Sequence, residues 1–316
     1  MIEVVLSNRY YLGELVEEAI LTDSLAEIAY RGEVTLVVTP DFPSIAPGQE
    51  ITISGSHPVS GNMVVLLDGV VWTVESRTRG QKHVTVTIYD RTIYLDRSED
   101  EYLFPDGQTA TTRLKRYAAD WGIPLGQVAD TGVALGKAVY RAQTIFNMLW
   151  TDLKETARQG GLYRARMAGK QLELVKLGSN STVWQLEALE EVAQSRTLEG
   201  AVTKVKVLGV EVEGIKSSVL AIETGDTKLG TLQRVIQDEQ ITAPGAAKAA
   251  ARALLTGIQE TVTVTGPDIP TIRAGDKVTL NGVSWLVTTV QHSLGEPGHM
   301  TLDLASEQYI RRRYYA

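Results

Sequence analysis

Two segments of this chain are copies of one another, and that constrains the fold more than any other feature, because a repeated sequence is a repeated structural unit. Pro40–Ile53 (PDFPSIAPGQEITI) and Pro267–Leu280 (PDIPTIRAGDKVTL) align without a gap at an offset of 227. Six of the fourteen positions are identical: Pro40/Pro267, Asp41/Asp268, Pro43/Pro270, Ile45/Ile272, Gly48/Gly275 and Thr52/Thr279. The match resumes at Gly69–Ser76 (GVVWTVES) against Gly282–Thr289 (GVSWLVTT), offset 213, and at His83–Ile88 (HVTVTI) against His299–Leu304 (HMTLDL), offset 216. On the first two offsets the first copy is fourteen residues longer, the surplus falling at Gly55–Asp68. Three matches in one order mark an internal duplication.

The unit reads as β-structure. Val34, Leu36 and Val38 alternate with other residues, as do Val262 and Val264, Ile51 and Ile53, Val278 and Leu280, Val84, Val86 and Ile88, and Met300, Leu302 and Leu304, the period of half-buried strands. Pro-rich links end in Gly48 and Gly275, which supply turns. Trp72 and Trp285 stand at equal places in Val-x-Trp-x-Val strands and are expected at one shared core position. Each copy is therefore expected to be a small antiparallel β-barrel or strongly curled sheet. Further strands are expected at Ile2–Leu6, Glu18–Leu21, Thr203–Leu208, Val219–Glu223 and Leu232–Gln237. Pro244–Ile258 reads as an Ala-rich helix with Pro in its first turn, whereas Ser24–Ala29 leaves room for a turn or two of helix at most.

Between the copies the periodicity changes. Leu114, Tyr117, Ala118 and Trp121 follow helical spacing after Thr111 and Thr112 and before Gly122 and Pro124; Phe146, Leu149, Trp150, Leu153 and Ala157 do so before Gly160–Gly161. Leu162–Met167 and Gln171–Leu177 pair as a hairpin across Ala168–Lys170. The expected fold class is β-rich α+β: a first barrel at 1–90, a mixed α/β insert at 91–196 and a second barrel at 197–316.

The chemistry available is narrow. No cysteine occurs, so disulfides, thiolate nucleophiles and Cys-ligated metals are excluded. The four histidines lack metal-site spacing; His83 and His299 occupy equal places in the copies, and His57 and His292 flank turns. Gly132–Ala138 (GVALGKA) is similar to a phosphate loop but has three residues between its glycines and Ala138 where a hydroxyl should hold magnesium. Glu17/Glu18, Asp96–Glu101 and Glu187–Glu191 are acidic clusters without aromatic platforms, read as solvated surface. Arg311–Arg313 with Tyr314 and Tyr315 reads as a frayed terminus, with contact to a phosphate or an acidic partner as the alternative. Neither an 18-residue apolar run nor a secretory pattern over Met1–Arg9 is present. With 31 Lys+Arg against 38 Asp+Glu the net charge is −7, against a whole-surface nucleic-acid binder. No catalytic, cofactor-binding or metal residues are assigned, and no cofactor is expected.

Gly266–Leu280, Trp285–His292 and His299–Leu304, opened by Thr197–Gly209 (TLEGAVTKVKVLG), resemble the closing barrel of contractile phage-tail baseplate hub proteins of the XkdQ/YqbQ type, related to VgrG-type hub barrels. The order barrel, insert, barrel extends the resemblance over nearly the whole chain. It implies a non-enzymatic virion protein, of a prophage, phage or tailocin, assembled in the host cytoplasm and placed in the tail baseplate. Three chains would form a ring of six like modules that adapts the hexameric tail tube to the trimeric spike, which a threefold ring manages only with two like modules per chain. Implied partners are a homotrimer, the tube and spike proteins, LysM-like and wedge baseplate proteins, and the tape measure protein. Neither a membrane nor a specific nucleic acid is implied. An acidic ring suits a channel that should not retain DNA phosphates. The competing readings are a tail-associated peptidoglycan hydrolase, a barrel that grips oligosaccharide or single-stranded nucleic acid, and the hub of a related contractile injection system.

Overall fold

Alternating apolar residues set the strands from the start of the chain. Val4 and Leu6 are buried on β1 (Ile2–Leu6), which doubles back through β2 (Tyr10–Tyr11) to β3 (Val16–Ser24). β4 (Arg31–Val37), β5 (Glu50–Ser56), β6 (Met63–Arg79) and β7 (Gln81–Asp90) keep the two-residue period and enclose a core of Leu21, Val34, Leu36, Ile51, Ile53, Val86 and Ile88. The structure is a computed structural model and describes residues 2–57, 59–210, 217–237 and 241–315.

Helical periodicity takes over in the next stretch, which runs α1 (Ile93–Arg97), β8 (Glu99–Phe104), α2 (Ala110–Asp120), β9 (Leu125–Val128), β10 (Ala138–Thr144), α3 (Ile145–Gln159), β11 (Tyr163–Ala168) and β12 (Gln171–Lys176). The hydroxyls of Thr109 and Thr144 cap α2 and α3, accepting from the N–H groups of Thr112 and Asn147 at 3.2 Å each. The apolar stripes of both helices, with Leu114, Tyr117, Met148, Leu149 and Leu153, meet in one core. That core also takes in Leu25 and Ile28 from the first copy and Leu286, Ala305, Ile310 and Tyr315 from the far end of the chain.

The remaining elements are β13 (Trp184–Gln185), β14 (Glu191–Thr197), β15 (Lys204–Leu208), β16 (Val219–Thr224), β17 (Gln233–Gln237), α4 (Pro244–Leu254), β18 (Gln259–Pro267), β19 (Lys277–Leu280), β20 (Val283–Leu294), β21 (His299–Ala305) and α5 (Glu307–Tyr314). The chain divides into two compact units, Met1–Val192 with Thr263–Ala316, and Ala193–Val262. In the smaller unit the sheet β16-β15-β17 buries Val205, Val207 and Ala221 against Ala247 and Ala251 of α4.

The larger unit contains the duplication as hydrogen bonds. The main sheet runs β14-β18-β21-β20-β3-β4-β7-β6-β5-β1-β2, with β19 on β20 and β13 on β19. Within it β4-β7-β6-β5 and β18-β21-β20-β19 stand in the same order. The N–H of Gly48 donates to the carbonyl of Val71 at 2.8 Å and the N–H of Val71 to that of Gln49 at 2.9 Å; Gly275, Val287 and Asp276 repeat the two bonds at 2.7 and 2.9 Å. Val71 pairs with Ile88 and Thr73 with Thr87 across a bulge, and Val287 pairs with Leu304 and Thr289 with Asp303 across the same bulge.

These bonds correct the alignment. Val71 is equivalent to Val287, an offset of 216 that holds through both hairpin strands. The GVVW and GVSW matches are therefore three residues out of register, and the first copy is eleven residues longer rather than fourteen. Trp72 falls in the bulge and is 37% exposed, whereas Trp285 is half-buried opposite Val278; they share no core position. The expected pair of closed barrels is also corrected. Among the described residues no barrel closes, because β3 pairs with β20 and joins the two copies edge to edge into one sheet. The strands foreseen at Thr203–Leu208, Val219–Glu223 and Leu232–Gln237 exist but belong to the smaller unit. Ser24 ends β3 and Leu25–Ala29 is turn and bend, and α4 stops at Leu254, after which the Thr256 N–H bonds the Val202 carbonyl.

Candidate assembly interface

Two sealed polar clusters hold the larger unit together. Asp23 of β3 is fully buried and receives Nη2 of Arg164 at 3.0 Å, Nε of Arg273 at 2.6 Å and the N–H of Ala274 at 3.2 Å. Arg164 also donates to the Ala274 carbonyl at 2.7 Å, and the Arg273 guanidinium lies 3.7 Å above the Tyr30 ring. Burial alone would raise the Asp23 carboxyl; the two guanidinium groups outweigh it and hold the group at about 2. One residue each from the first copy, the insert and the second copy therefore meet at one charge. In the second cluster Arg113 of α2 donates to Asp152 of α3 at 2.6 Å, both fully buried. Tyr140 and Tyr117 donate their hydroxyls to the same carboxylate at 2.6 and 3.2 Å. Burial raises the Asp152 carboxyl against these donors, and the residue is fully buried. Both clusters are tertiary clamps: breaking such a buried pair costs about 3–5 kcal/mol.

Neither cluster was legible as a site in the sequence. The trace of the first is that Arg273 departs from its counterpart, Ala46, inside the best-matched repeat segment. The second has no motif, only an Arg on one helix stripe and an Asp on another.

The sequence candidates fall elsewhere. His83 and His299 do take equivalent strand-entry positions, each beside a surface glutamate, Glu17 at 3.3 Å and Glu190 at 3.0 Å. His292 lies on β20 rather than at a turn and is fully buried, its ring nitrogens 2.6 Å from Asp268 Oδ1 and 2.9 Å from the Ile272 carbonyl. His57 leans on Trp184 with ring centres 6.3 Å apart. Among the described residues no group of three His, Asp or Glu is placed to hold a metal ion. The Gly132–Ala138 loop is occupied by its own protein: Glu155 accepts the Gly136 N–H at 2.7 Å and Arg113 takes the Gly136 carbonyl. A phosphate there would face a carboxylate. Glu17 and Glu18, Asp96–Glu101 and Glu187–Glu191 lie mostly exposed, on strands, links and the end of α1. The terminus is not frayed: α5 buries Ile310, Arg311 donates to the carbonyls of Ala157 and Gly160, and the Tyr315 hydroxyl donates to that of Tyr163 at 2.7 Å.

What the surface offers is apolar area without reactive groups. The eleven extra residues lengthen the β5–β6 hairpin, whose partners Ser54/Val65 and Ser56/Met63 lie beyond the core. Met63 and Val65 are 39% and 57% exposed, while Leu66 and Leu67 turn inward. Trp72 sits edge-on to Tyr89 and Tyr94, centres 6.0 and 6.2 Å apart, at the surface. Leu103 and Val139 face each other across β8 and β10, both exposed. In the smaller unit Ile222 and Val235 flank Lys206 on the sheet face opposite α4, again exposed. Apolar patches rimmed by charge, with no cleft chemistry, are what macromolecular contact requires.

Comparison with known proteins agrees with a tail-like fold. The chain is 25% identical over 333 residues to the uncharacterized protein YqbQ of Bacillus subtilis strain 168, spanning 98% of each, and 30% identical over 124 residues to the phage-like element PBSX protein XkdQ of the same organism, covering 39% of this chain and 37% of that protein. Its fold matches the 43 kDa tail protein of prophage MuSo2 from Shewanella oneidensis with a TM-score of 0.74 at 13% identity, over 98% of both chains. It also matches an E. coli component of the type VI secretion system, described as structurally similar to the T4 bacteriophage tail proteins gp27 and gp5, with a TM-score of 0.57 at 12% identity over 97% of this chain and 78% of that one. Residues 31–305, from β4 to the end of β21, match the YQBQ-like family, and with both copies of the repeat inside that span the chain belongs to it.

Proposed function

We propose that this protein is a structural subunit of a phage-tail baseplate hub, three chains forming a ring of six like modules between a sixfold tail tube and a threefold spike. The observation that carries this reading is the repeat itself: two four-strand modules of one order, one register and one bulge in a single chain. A threefold ring that must meet a sixfold partner needs such a pair. In this reading the segments 1–90 and 197–316 are the two modules and 91–196 the clamp between them, the second module carrying Ala193–Val262 as an elaboration. The role is non-enzymatic and needs no cofactor. The exposed apolar patches are contact surfaces for further copies, for tube and spike, and for other baseplate proteins including LysM-like, wedge and tape measure components. Assembly takes place in the bacterial cytoplasm. The tail protein of MuSo2, similar over the whole chain, supports a tail setting; the fold match to the type VI component supports a second, the hub of a contractile injection system.

The test is the mass of the purified protein by light scattering. A trimer of the 316-residue chain is expected; a monomer at high concentration or a dimer overturns the hub. Clear lysis on a peptidoglycan zymogram would instead establish the hydrolase.

A further inference from the structure

The repeat leaves two strand edges open, and each is the counterpart of an edge that is closed elsewhere in the same chain. In the first module β3 lies beside β4 on the side away from β7; in the second β14 holds the corresponding place beside β18, away from β21. On its other edge β3 pairs with β20, Ala19–Ser24 lying antiparallel to Thr289–Leu294. At the offset of 216, Thr289–Leu294 corresponds to Thr73–Thr78 of β6. That stretch bonds β7 on one side, whereas β5 pairs with β6 only at Met63–Val70. Among the described residues neither Thr73–Thr78, on the side away from β7, nor the outer edge of β14 has a strand partner. β14 is exposed along its whole length, and Thr73–Thr78 is exposed at every residue but Val74. Open edges of this kind are templates for pairing with another chain.

We propose that β14 of one copy of this chain pairs antiparallel with Thr73–Thr78 of β6 in a second copy, repeating between chains the β3–β20 pairing made within each chain. The occupant follows from the repeat: the first module's outer strand already binds the second module's long strand, and among the described residues the like pair left unmade joins the second module of one chain to the first module of the next. The contact is heterologous, so copies joined by it close into a ring or extend as a filament. The inference rests on the hub reading for the closure of the ring at three chains, but not for the strand contact.

Because the natural chain has no cysteine, any disulfide reports an engineered contact. Three double variants combine Glu75→Cys with Gln194→Cys, with Ser195→Cys or with Arg196→Cys, spanning the adjacent registers. Each is oxidised and run on a denaturing gel beside its reduced form, with the mass of the assembly measured in parallel. The expected result is that at least one pair yields crosslinked species up to a covalently closed ring, lost on reduction and absent from both single-cysteine variants. A trimer in which no pair crosslinks overturns the strand pairing and leaves the hub standing. A protein that stays monomeric overturns both, and crosslinked ladders that grow beyond three chains sustain the pairing while overturning the hub.

Discussion

Gly48 and Gly275 show how a single residue carries the repeat. Both hold φ in the left-handed region, +93° and +88°, while donating an N–H to the facing long strand, a geometry that only glycine adopts cheaply. Their surroundings differ: a Cβ at Gly48 would meet nothing within 4 Å, whereas one at Gly275 would lie 2.8 Å from Leu177 Cδ2 and 3.2 Å from Arg164 Cδ. Gly48→Ala is therefore expected to cost about 1 kcal/mol of backbone strain, and Gly275→Ala distinctly more, since it also disturbs the Arg164 clamp. Urea denaturation midpoints decide the order, and equal losses would refute the clamp's part in it. Asp90 gives a second residue-scale test. Burial pushes its carboxyl up to about 6, against the hydroxyl and N–H of Thr92, which donate to it. A carboxyl raised in the folded state favours folding in its neutral form, so its contribution is full below about pH 4 and is lost as pH rises through 6. Asp90→Asn is expected to remove this decline, about 3 kcal/mol across that window, while leaving the separate fall below pH 4 that Asp23, held at about 2, imposes on acidification. Unfolding free energies of both proteins from pH 3 to 8 check it; an unchanged slope between 4 and 6 contradicts the assignment.

Among elements, the β5–β6 hairpin is where the two modules differ most. The bulge between Ile53 and Ser54 marks where it leaves the core, and beyond it Val65 and Met63, whose sulfur accepts the Ser56 hydroxyl at 3.8 Å, are exposed. Shortening this hairpin by its eleven extra residues to the length of β19–β20 should leave the fold and the oligomer unchanged and impair binding to a tail tube, read by co-sedimentation with assembled tubes. Undiminished docking would show that the hairpin serves some other purpose. The helices were foreseen from their stripes because α2 and α3 each place one apolar face on one core, a local property of spacing. α1 and β8 were not foreseen, since Ile93–Phe104 mixes apolar and acidic residues at neither period, and α5 was read as frayed because only Ile310 of its eight residues is fully buried. What holds α5 is Arg311 on two α3-end carbonyls, a contact across 151–154 residues of sequence.

On the scale of the whole molecule, the join between modules matters more than either module. β3 closes the edge of β20 in the same chain, and the buried Asp23 on that strand draws in Arg164 and Arg273. The trimer we propose uses the same logic, the unmade like contact of each chain being filled by the next copy. The repeat, the β-rich character, the two central helices and the lack of thiol chemistry were determined by the sequence alone, because period, glycine placement and composition are local and survive in one dimension. Which residues of the copies are equivalent was not: a three-residue slip that aligned two tryptophans scored better as sequence, yet the Gly48–Val71 and Gly275–Val287 hydrogen bonds set the true register. Nor did periodicity distinguish two closed barrels from one joined sheet, because a strand's pattern records which face is buried and not which neighbour lies at its edge. The register was set by backbone bonds across each turn and the joined sheet by the pairing of β3 with β20, more than 250 positions apart, and only the tertiary structure contains them.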